Sequence, residues 1–567
     1  MNKKKFTWIH FFSIGIIVFA FGLIIRLYNL QIIHGEEYSA SLNRQHNSSA
    51  KDENFDRGMI IFTYKDGRDF FAASNQTGYI LGINPSVLKD IEGTYEKLSQ
   101  IVPLDKEEFV HHATRQGVVR RDVLPKISEE DALKIEELDI PGVLLINQRW
   151  RSNPGNQLAA HVLGFLAEKD EQLRGQYGLE RYYDDLLKKE DINLFSNIFT
   201  EFYSGLKKTF GDDKFNGDIV ATIEPNVQAY IEEVSESIQA QYSSEQTGII
   251  VMNPSTGEIL GMSQYPTFDV NNFRMVEDVS IFNNSAVEGV YEMGSIIKPL
   301  SVAIGLEEKA ITADTTYNDL GSMTLNGRTF YNYDKKARGV VDMQTVLNNS
   351  LNTGVAFVVS RVGNAKFAEY MQKFFKDQTG IDLPGEGKSL ISNLDSLRDI
   401  EVATASYGQG IAITPIQTIR ALAALGNGGY IVQPHLGKEK RYSYGISEKI
   451  SYPAPQQIFS KETSEEISRM LVRVVDEALL GGTVALPNYS IAAKTGTAQM
   501  VRPGGGYFED QYLHSFFGYF PAFDPQFIVL LYTINPKGVS YASGTLTHPF
   551  MDIAKYLINY YEIEPDR

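Results

Sequence analysis

Apolar and polar positions run along this chain with more than one period, and the changes of period divide it. Near the start, Phe6 to Ile25 (FTWIHFFSIGIIVFAFGLII) is apolar and carries no formal charge except on a protonated His10. About twenty such residues span a bilayer as one helix. From there to about residue 215 the pattern is polar and mixed. RGMIIFTYKDGR around Arg57 predicts a strand, a turn at Asp66-Gly67 and a returning strand. ISEEDALKIEEL predicts a helix, and RSNPGNQLAAHVLGFL a loop entering a helix. GLERYYDDLL predicts a second helix with acid-base pairs on its exposed face.

The pattern shifts at Phe215-Asn216-Gly217-Asp218, where a turn precedes IVATIEPNVQAYIEEVSESI, a strand followed by a long amphipathic helix. GIIVMNPSTGEILGMSQYP then reads as a β-hairpin turning at Pro254-Ser255-Thr256-Gly257. Two further strands, LHSFFGYFPA from Leu513 and FIVLLYTI from Phe527, come only near the end, before the helical pattern THPFMDIAKYLINYY. A sheet closed by sequence-distant strands around a helical insertion predicts an α+β fold rather than repeated βαβ units. The expected division is a tail at residues 1–5, a transmembrane helix at 6–26, an extended module at 27–215 and an α+β domain with an antiparallel sheet at 216–567. No repeat at solenoid or propeller spacing is present.

Charge orients this arrangement. Lys3, Lys4 and Lys5 precede the apolar run, and flanking lysines keep that end in the cytoplasm, so the expected chain is a single-pass membrane protein with everything after Arg26 outside. A cleaved signal peptide or a buried core helix is the competing reading. The run is long for a signal and lacks a small-x-small cleavage pattern. A net charge of -17 opposes binding to a phosphate backbone, so nucleic acid is not an expected partner. The absence of cysteine rules out disulfides, thiolate catalysis and thiolate-held zinc, and the nine histidines show no His-Glu-x-x-His spacing. No metal and no cofactor is called for.

Three short motifs occur in order: Ser295-Ile296-Ile297-Lys298, Ser350-Leu351-Asn352 and Lys494-Thr495-Gly496-Thr497. Single matches are noise, since Ser-x-x-Lys recurs at Ser48, Ser86 and Ser204, and Ser41-Leu42-Asn43 imitates the second motif. Lys-Thr-Gly occurs once, and the order and domain-scale spacing make the set specific.

Gly294 permits a sharp entry and Pro299 falls in the first turn of a helix, so Ser295 caps or begins that helix. Helical spacing puts Lys298 on the same face, beside the hydroxyl. A serine hydroxyl needs a base, and a neutral lysine is the available one; burial and a neighbouring cation such as Lys494 would lower its pKa. Ser350 is placed to relay a proton to a leaving amine, and Asn352 to hydrogen bond a peptide backbone. SIAAKTGTAQM reads as an edge strand on which a substrate chain adds as a further strand, Gly496 allowing close approach. Lys494, Thr495 and Thr497 offer a cation and hydroxyls to a carboxylate, and the amides of Ser295 and Thr497 form the expected oxyanion hole.

These residues resemble the class B penicillin-binding proteins. The likeness extends over nearly the whole chain through RGMI at Arg57, HVLGF at His161, GLERYYDDLL at Gly178, MNPSTGEILGMSQYPTFDVN at Met252, YGQGIAITPIQ at Tyr407, GNGG at Gly426 and GGT at Gly481. The resemblance implies an N-terminal pedestal of the dimerisation type and a C-terminal transpeptidase domain related to the serine β-lactamases. It implies attack by Ser295 on a D-Ala-D-Ala stem peptide of peptidoglycan, release of D-alanine and transfer of the acyl group to an amine of another strand. β-Lactam antibiotics would acylate the same serine. With no glycosyltransferase-like segment between anchor and pedestal, a separate glycan polymerase is the implied partner. Met293 and Ala493 depart from the family's usual proline and glycine, flanking the site without removing a reactive group.

Three alternatives share the motifs. A β-lactam hydrolase or sensor is opposed by the large pedestal and by the lack of a Glu-x-x-Leu-Asn pattern between Asn352 and Lys494. A D,D-carboxypeptidase would release D-alanine without cross-linking. A non-catalytic scaffold would not need the intact motif side chains.

Overall fold

The computed structural model of the chain describes residue 19 and residues 56–115, 117–169, 172–188, 216–442 and 445–567. The apolar run Phe6–Ile25 lies, but for Phe19, outside the described residues, and among those residues no helix is long and apolar enough to cross a membrane. The contacts divide the chain into a smaller unit that includes Asn75–Trp150 and a larger one formed by Arg57–Ser74 with Arg151–Arg567.

In the smaller unit, Ile91–Leu98, Lys106–Thr114 and Glu129–Glu136 are helices that start where the sequence supplies a cap. Asp90, Asp105 and Ser128 each accept a backbone N–H three residues on, which satisfies donors the helix itself leaves open. Strand residues Tyr79 and Leu81 pair with Ile127 and Leu124. Leu81, Ile83, Leu98, Phe109, Ile127 and Ile135 close a small core of their own.

The larger unit is organised by a five-stranded antiparallel sheet. Its spatial order is Ala492–Val501, Tyr507–Phe520, Phe527–Ile534, Gln246–Met252, Ile259–Tyr265. The two strands from the end of the chain thus lie between the early hairpin and the edge strand at Ala492, with the helical segment inserted between them in sequence. Side chains alternate across a strand, and the alternation sorts residues into two cores. Ile250, Met252, Ile528, Leu530 and Ala492 face the inserted helices. Ile249, Val251, Val529, Leu531 and Ala493 face the helices Pro225–Tyr242 and Thr547–Tyr561. Phe527–Ile534 is buried throughout, which explains why its sequence is a continuous apolar run rather than an alternating one. Each such buried aliphatic side chain contributes about 1.5–3 kcal/mol.

A second sheet of the same unit joins Ile60–Thr63 to Asp69–Ala73 in an antiparallel pair and to Gly217–Ala221 in a parallel one, with Gly437–Tyr442 beyond. Ile60, Phe62, Val162, Leu163, Leu179 and Leu187 share the core that contains Ile219 and Ala221.

One sequence expectation fails here. GLERYYDDLL forms two short helical turns, Gly178–Tyr182 and Asp184–Leu187, and its Glu180 is buried rather than on a solvated face. The carboxylate accepts Arg57 Nε at 2.6 Å and Arg151 Nε at 2.7 Å. Two charge-assisted bonds compensate its burial, and neither partner is within helical reach in sequence.

Candidate active site

Ser295 lies in a single 3₁₀ turn, Gly294–Ile297, and the α-helix that follows runs Lys298–Glu307 with Pro299 in its first turn. The serine therefore precedes the helix instead of capping it. The Lys298 N–H donates to the Ser295 carbonyl across the turn. Gly294 has φ +63, and a Cβ there would sit 2.9 Å from the Thr497 carbonyl oxygen. Only glycine adopts this conformation without strain in so tight a place.

The turn is held from two sides. On the sheet side, Ser515 Oγ donates to the Met293 carbonyl at 2.8 Å. A Cβ on Gly496 would lie 2.4 Å from Ser515 Oγ and 2.8 Å from Met293 O, so Gly496 makes room for the serine turn, a reason the sequence did not reveal. On the other side, the Gly294 N–H donates to the Gly408 carbonyl at 3.1 Å, and a Cβ on Gly408 would meet Gly294 O at 2.3 Å.

Lys298 is 1% exposed. Its Nζ donates to Ser350 Oγ at 3.1 Å and to the Ser350 carbonyl. Ser350 links the helices Met343–Asn348 and Asn352–Val362 and has φ +53. A left-handed serine is a strained choice costing roughly 1–2 kcal/mol, and here it turns both of the residue's oxygens toward the Lys298 nitrogen. Lys494 is also buried, on the edge strand, with Nζ donating to the Thr495 carbonyl at 3.1 Å. Burial lowers the Lys494 pKa to about 8. Burial, and secondarily the like charge of Lys494, holds Lys298 well below the ordinary lysine range. Two ammonium groups so placed resist being charged together, and Lys298 is the one favoured as a neutral amine.

Asn352 Nδ2 donates to the Tyr331 carbonyl at 2.7 Å. The next residue is fixed from below: Thr353 Oγ1 donates to Asp319 at 2.8 Å and its N–H to Asn332 Oδ1 at 3.2 Å, while Asn332 Nδ2 donates to Asp319. Sequence reasoning missed Asp319 and Asn332, and nothing in Asp-Leu-Gly or Tyr-Asn-Tyr distinguishes them from surface turns. It also assigned no role to Gly408, although YGQG was noted as a block.

Thr495, Gly496 and Thr497 lie on the edge strand, which pairs only with Tyr507–Phe520 among the described strands. Its other edge is therefore available for an added peptide strand. Lys494 and Gly496 share the face of Ala492, and Thr495 and Thr497 that of Ala493. Thr497 Oγ1 accepts the Ala542 N–H at 3.0 Å. The structure thus links Lys298 to Ser350 by hydrogen bonds, places the Lys494 charge against Lys298, and packs the serine turn on Gly496 and Thr497.

The arrangement has counterparts in known proteins. Residues 247–555 match the family profile of the penicillin binding protein transpeptidase domain, and residues 54–191 that of the penicillin-binding protein dimerisation domain. The chain is similar to stage V sporulation protein D of Bacillus subtilis, 32% identical over 97% of this chain and 84% of that protein. It is 25% identical to the peptidoglycan D,D-transpeptidase FtsI of Buchnera aphidicola, over 78% of this chain and 75% of the relative. In fold it is similar to penicillin binding protein 3 of Mycobacterium tuberculosis, solved with aztreonam, at TM-score 0.68 and 22% identity, covering 90% of this chain and 97% of that one.

Proposed function

Since this chain belongs to the class B penicillin-binding proteins, we propose that it is a peptidoglycan D,D-transpeptidase that forms peptide cross-links through an acyl-enzyme on Ser295. The observation that carries the mechanism is the burial of Lys298 beside Lys494, with its Nζ on the Ser350 hydroxyl.

A neutral Lys298 takes the Ser295 proton as Oγ attacks the penultimate D-Ala carbonyl carbon of the donor stem. A C–O bond forms, and the carbonyl oxygen becomes an oxyanion facing the amides of Ser295 and Thr497. Ser350, bonded to Lys298, passes the proton to the departing D-alanine nitrogen as the C–N bond breaks. The acceptor amine then reverses the sequence: it attacks the ester, gives up its proton through the same pair and returns Ser295 to its hydroxyl form. Lys494, Thr495 and Thr497 receive the terminal carboxylate, Asn352 the donor backbone, and Gly496 lies where the donor chain passes along the edge strand. β-Lactams acylate Ser295 by the same attack.

The apolar run Phe6–Ile25 with its three preceding lysines supports a single membrane span, with the N-terminus in the cytoplasm and the catalytic domain outside. A glycan polymerase supplies the strands to be joined. The test is mass spectrometry of the full chain in mild detergent, incubated with benzylpenicillin, peptide-mapped and followed after drug removal. One stable adduct on Ser295 is expected. Rapid loss of the adduct would identify a hydrolase, and no adduct on folded protein would overturn the acyl-enzyme reading.

A further inference from the structure

Glu292 stands three residues before Ser295 and takes no part in the chemistry above. It is half-buried. Its Oε1 accepts the Gly410 N–H at 2.9 Å, and the Tyr507 hydroxyl donates to its two carboxylate oxygens, each at 3.1 Å. One carboxylate thus joins three segments: the approach to the serine turn, the turn Tyr407–Gly410, and the start of the strand Tyr507–Phe520.

Gly408 and Gly294 meet backbone to backbone, and Tyr291 and Ile413 exchange two backbone hydrogen bonds at 2.9 Å; the Glu292 carboxylate adds a side-chain link between the same two segments. The hairpin after the edge strand carries a register shift between Gln499 and Val501. Its Gly504, Gly505 and Gly506 have positive φ and no neighbour that an added Cβ would touch. Three such glycines leave the hairpin little stiffness of its own, and Tyr507, the next residue, is where it reaches Glu292. Among the described residues, the titratable groups that act on the carboxylate are Tyr507 and Tyr407. Burial and the Glu292 charge raise both hydroxyls above the ordinary tyrosine range, so they remain neutral. Burial also holds Glu292 above the ordinary carboxylate range, and the groups that pull it back are the Gly410 amide and the Tyr507 hydroxyl, neither of them a cation. A half-buried carboxylate offset only by neutral donors is costly to keep, and an apolar side chain would fill the place more cheaply if filling were its whole role.

We propose that Glu292 is a positioning residue for acylation: through Gly410 and Tyr507 it holds the Tyr407–Gly410 turn and the hairpin against the serine turn, and so fixes the Ser295 hydroxyl for attack. This rests on Ser295 being the acylated group. Misplacing a nucleophile lowers the rate of bond formation more than it weakens binding, whereas loss of general packing would lower thermal stability and affinity together.

The experiment is stopped-flow acylation of the full chain in detergent by a fluorescent penicillin, separating the limiting acylation rate from the noncovalent dissociation constant. Wild type, Glu292→Ala, Glu292→Gln, Tyr507→Phe and the Glu292→Ala/Tyr507→Phe pair are compared, with thermal melts. The limiting rate is expected to fall about 10- to 100-fold in Glu292→Ala, less in Glu292→Gln and Tyr507→Phe, with the dissociation constant within about 3-fold. The double variant is expected to equal Glu292→Ala, because Tyr507 acts through the carboxylate. An unchanged limiting rate, a loss confined to affinity, or a double variant equal to the product of the singles would each overturn the proposal. If Glu292→Ala does not fold, Glu292→Gln and Tyr507→Phe decide it by the same split. A wild type that never acylates at Ser295 would refute the proposed function instead, which keeps the two failures apart.

Discussion

Lys298 Nζ sits 3.1 Å from the Ser350 hydroxyl oxygen, across a gap of fifty-two residues in sequence. Both residues are fixed by the turns they occupy: Lys298 begins the helix behind the serine turn, and Ser350 holds a left-handed conformation that aims its oxygens at the amine.

Lys298→Met keeps the length and volume of the side chain and removes the base. Acylation of Ser295 by benzylpenicillin should fall about 10²–10⁴-fold. Stability should change by less than about 2 kcal/mol, because loss of the bond to Ser350 is offset by relief of a buried amine. Adduct kinetics and a thermal melt measure the two effects.

Lys494→Met tests the charge coupling. The Lys494 cation disfavours the charged form of Lys298. Removing it raises the Lys298 pKa, so the neutral base appears only at higher pH. The acid limb of the acylation profile should therefore move to higher pH. It should not reach that of an exposed lysine, because burial is the larger cause. An acid limb that stays in place or moves down would show that the two lysines are not coupled.

Gly496→Ala places a methyl 2.4 Å from Ser515 Oγ and 2.8 Å from Met293 O. Overpacking of this kind costs about 1–3 kcal/mol, and acylation should fall with it, because the atoms pushed are those that hold the serine turn. Gly327→Ala is the control. It has φ +76 and open space around it, so it should cost only about 1 kcal/mol and leave acylation of the folded protein unchanged. Denaturant unfolding with parallel adduct kinetics compares the two.

Glu180→Ala leaves the guanidinium groups of Arg57 and Arg151 without the buried carboxylate they share. The expected loss is about 3–5 kcal/mol, seen as a lowered melting temperature. Acylation per folded molecule should persist at permissive temperature, since the ion pairs of Glu180 among the described residues go to Arg57 and Arg151 and not to the motif residues.

The strands of the central sheet, the long helices at Pro225–Tyr242 and Thr547–Tyr561, and the edge strand at Ala492 were legible because each carries its period within a short window. The three motifs stand out in the string because Lys-Thr-Gly is unique and the motifs keep their order, and the structure joins Lys298 of the first to Ser350 of the second. Glu180 was misread, since a glutamate among charged neighbours on a helical pattern looks solvated until Arg57 and Arg151 arrive from distant segments. Asp319, Asn332 and Gly408 gave no signal either, because their work is to hold neighbours that sequence does not reveal.

The sequence by itself determined the sheet's alternation, the order and spacing of the three motifs and the family to which the chain belongs. Only the tertiary structure decided which lysine is the more easily neutralised, why Gly496 and Gly408 must lack side chains, and which residues clasp the serine turn. A period or a motif is local and survives in a linear string. Burial, like-charge repulsion and steric contact depend on distances between segments that the string leaves far apart.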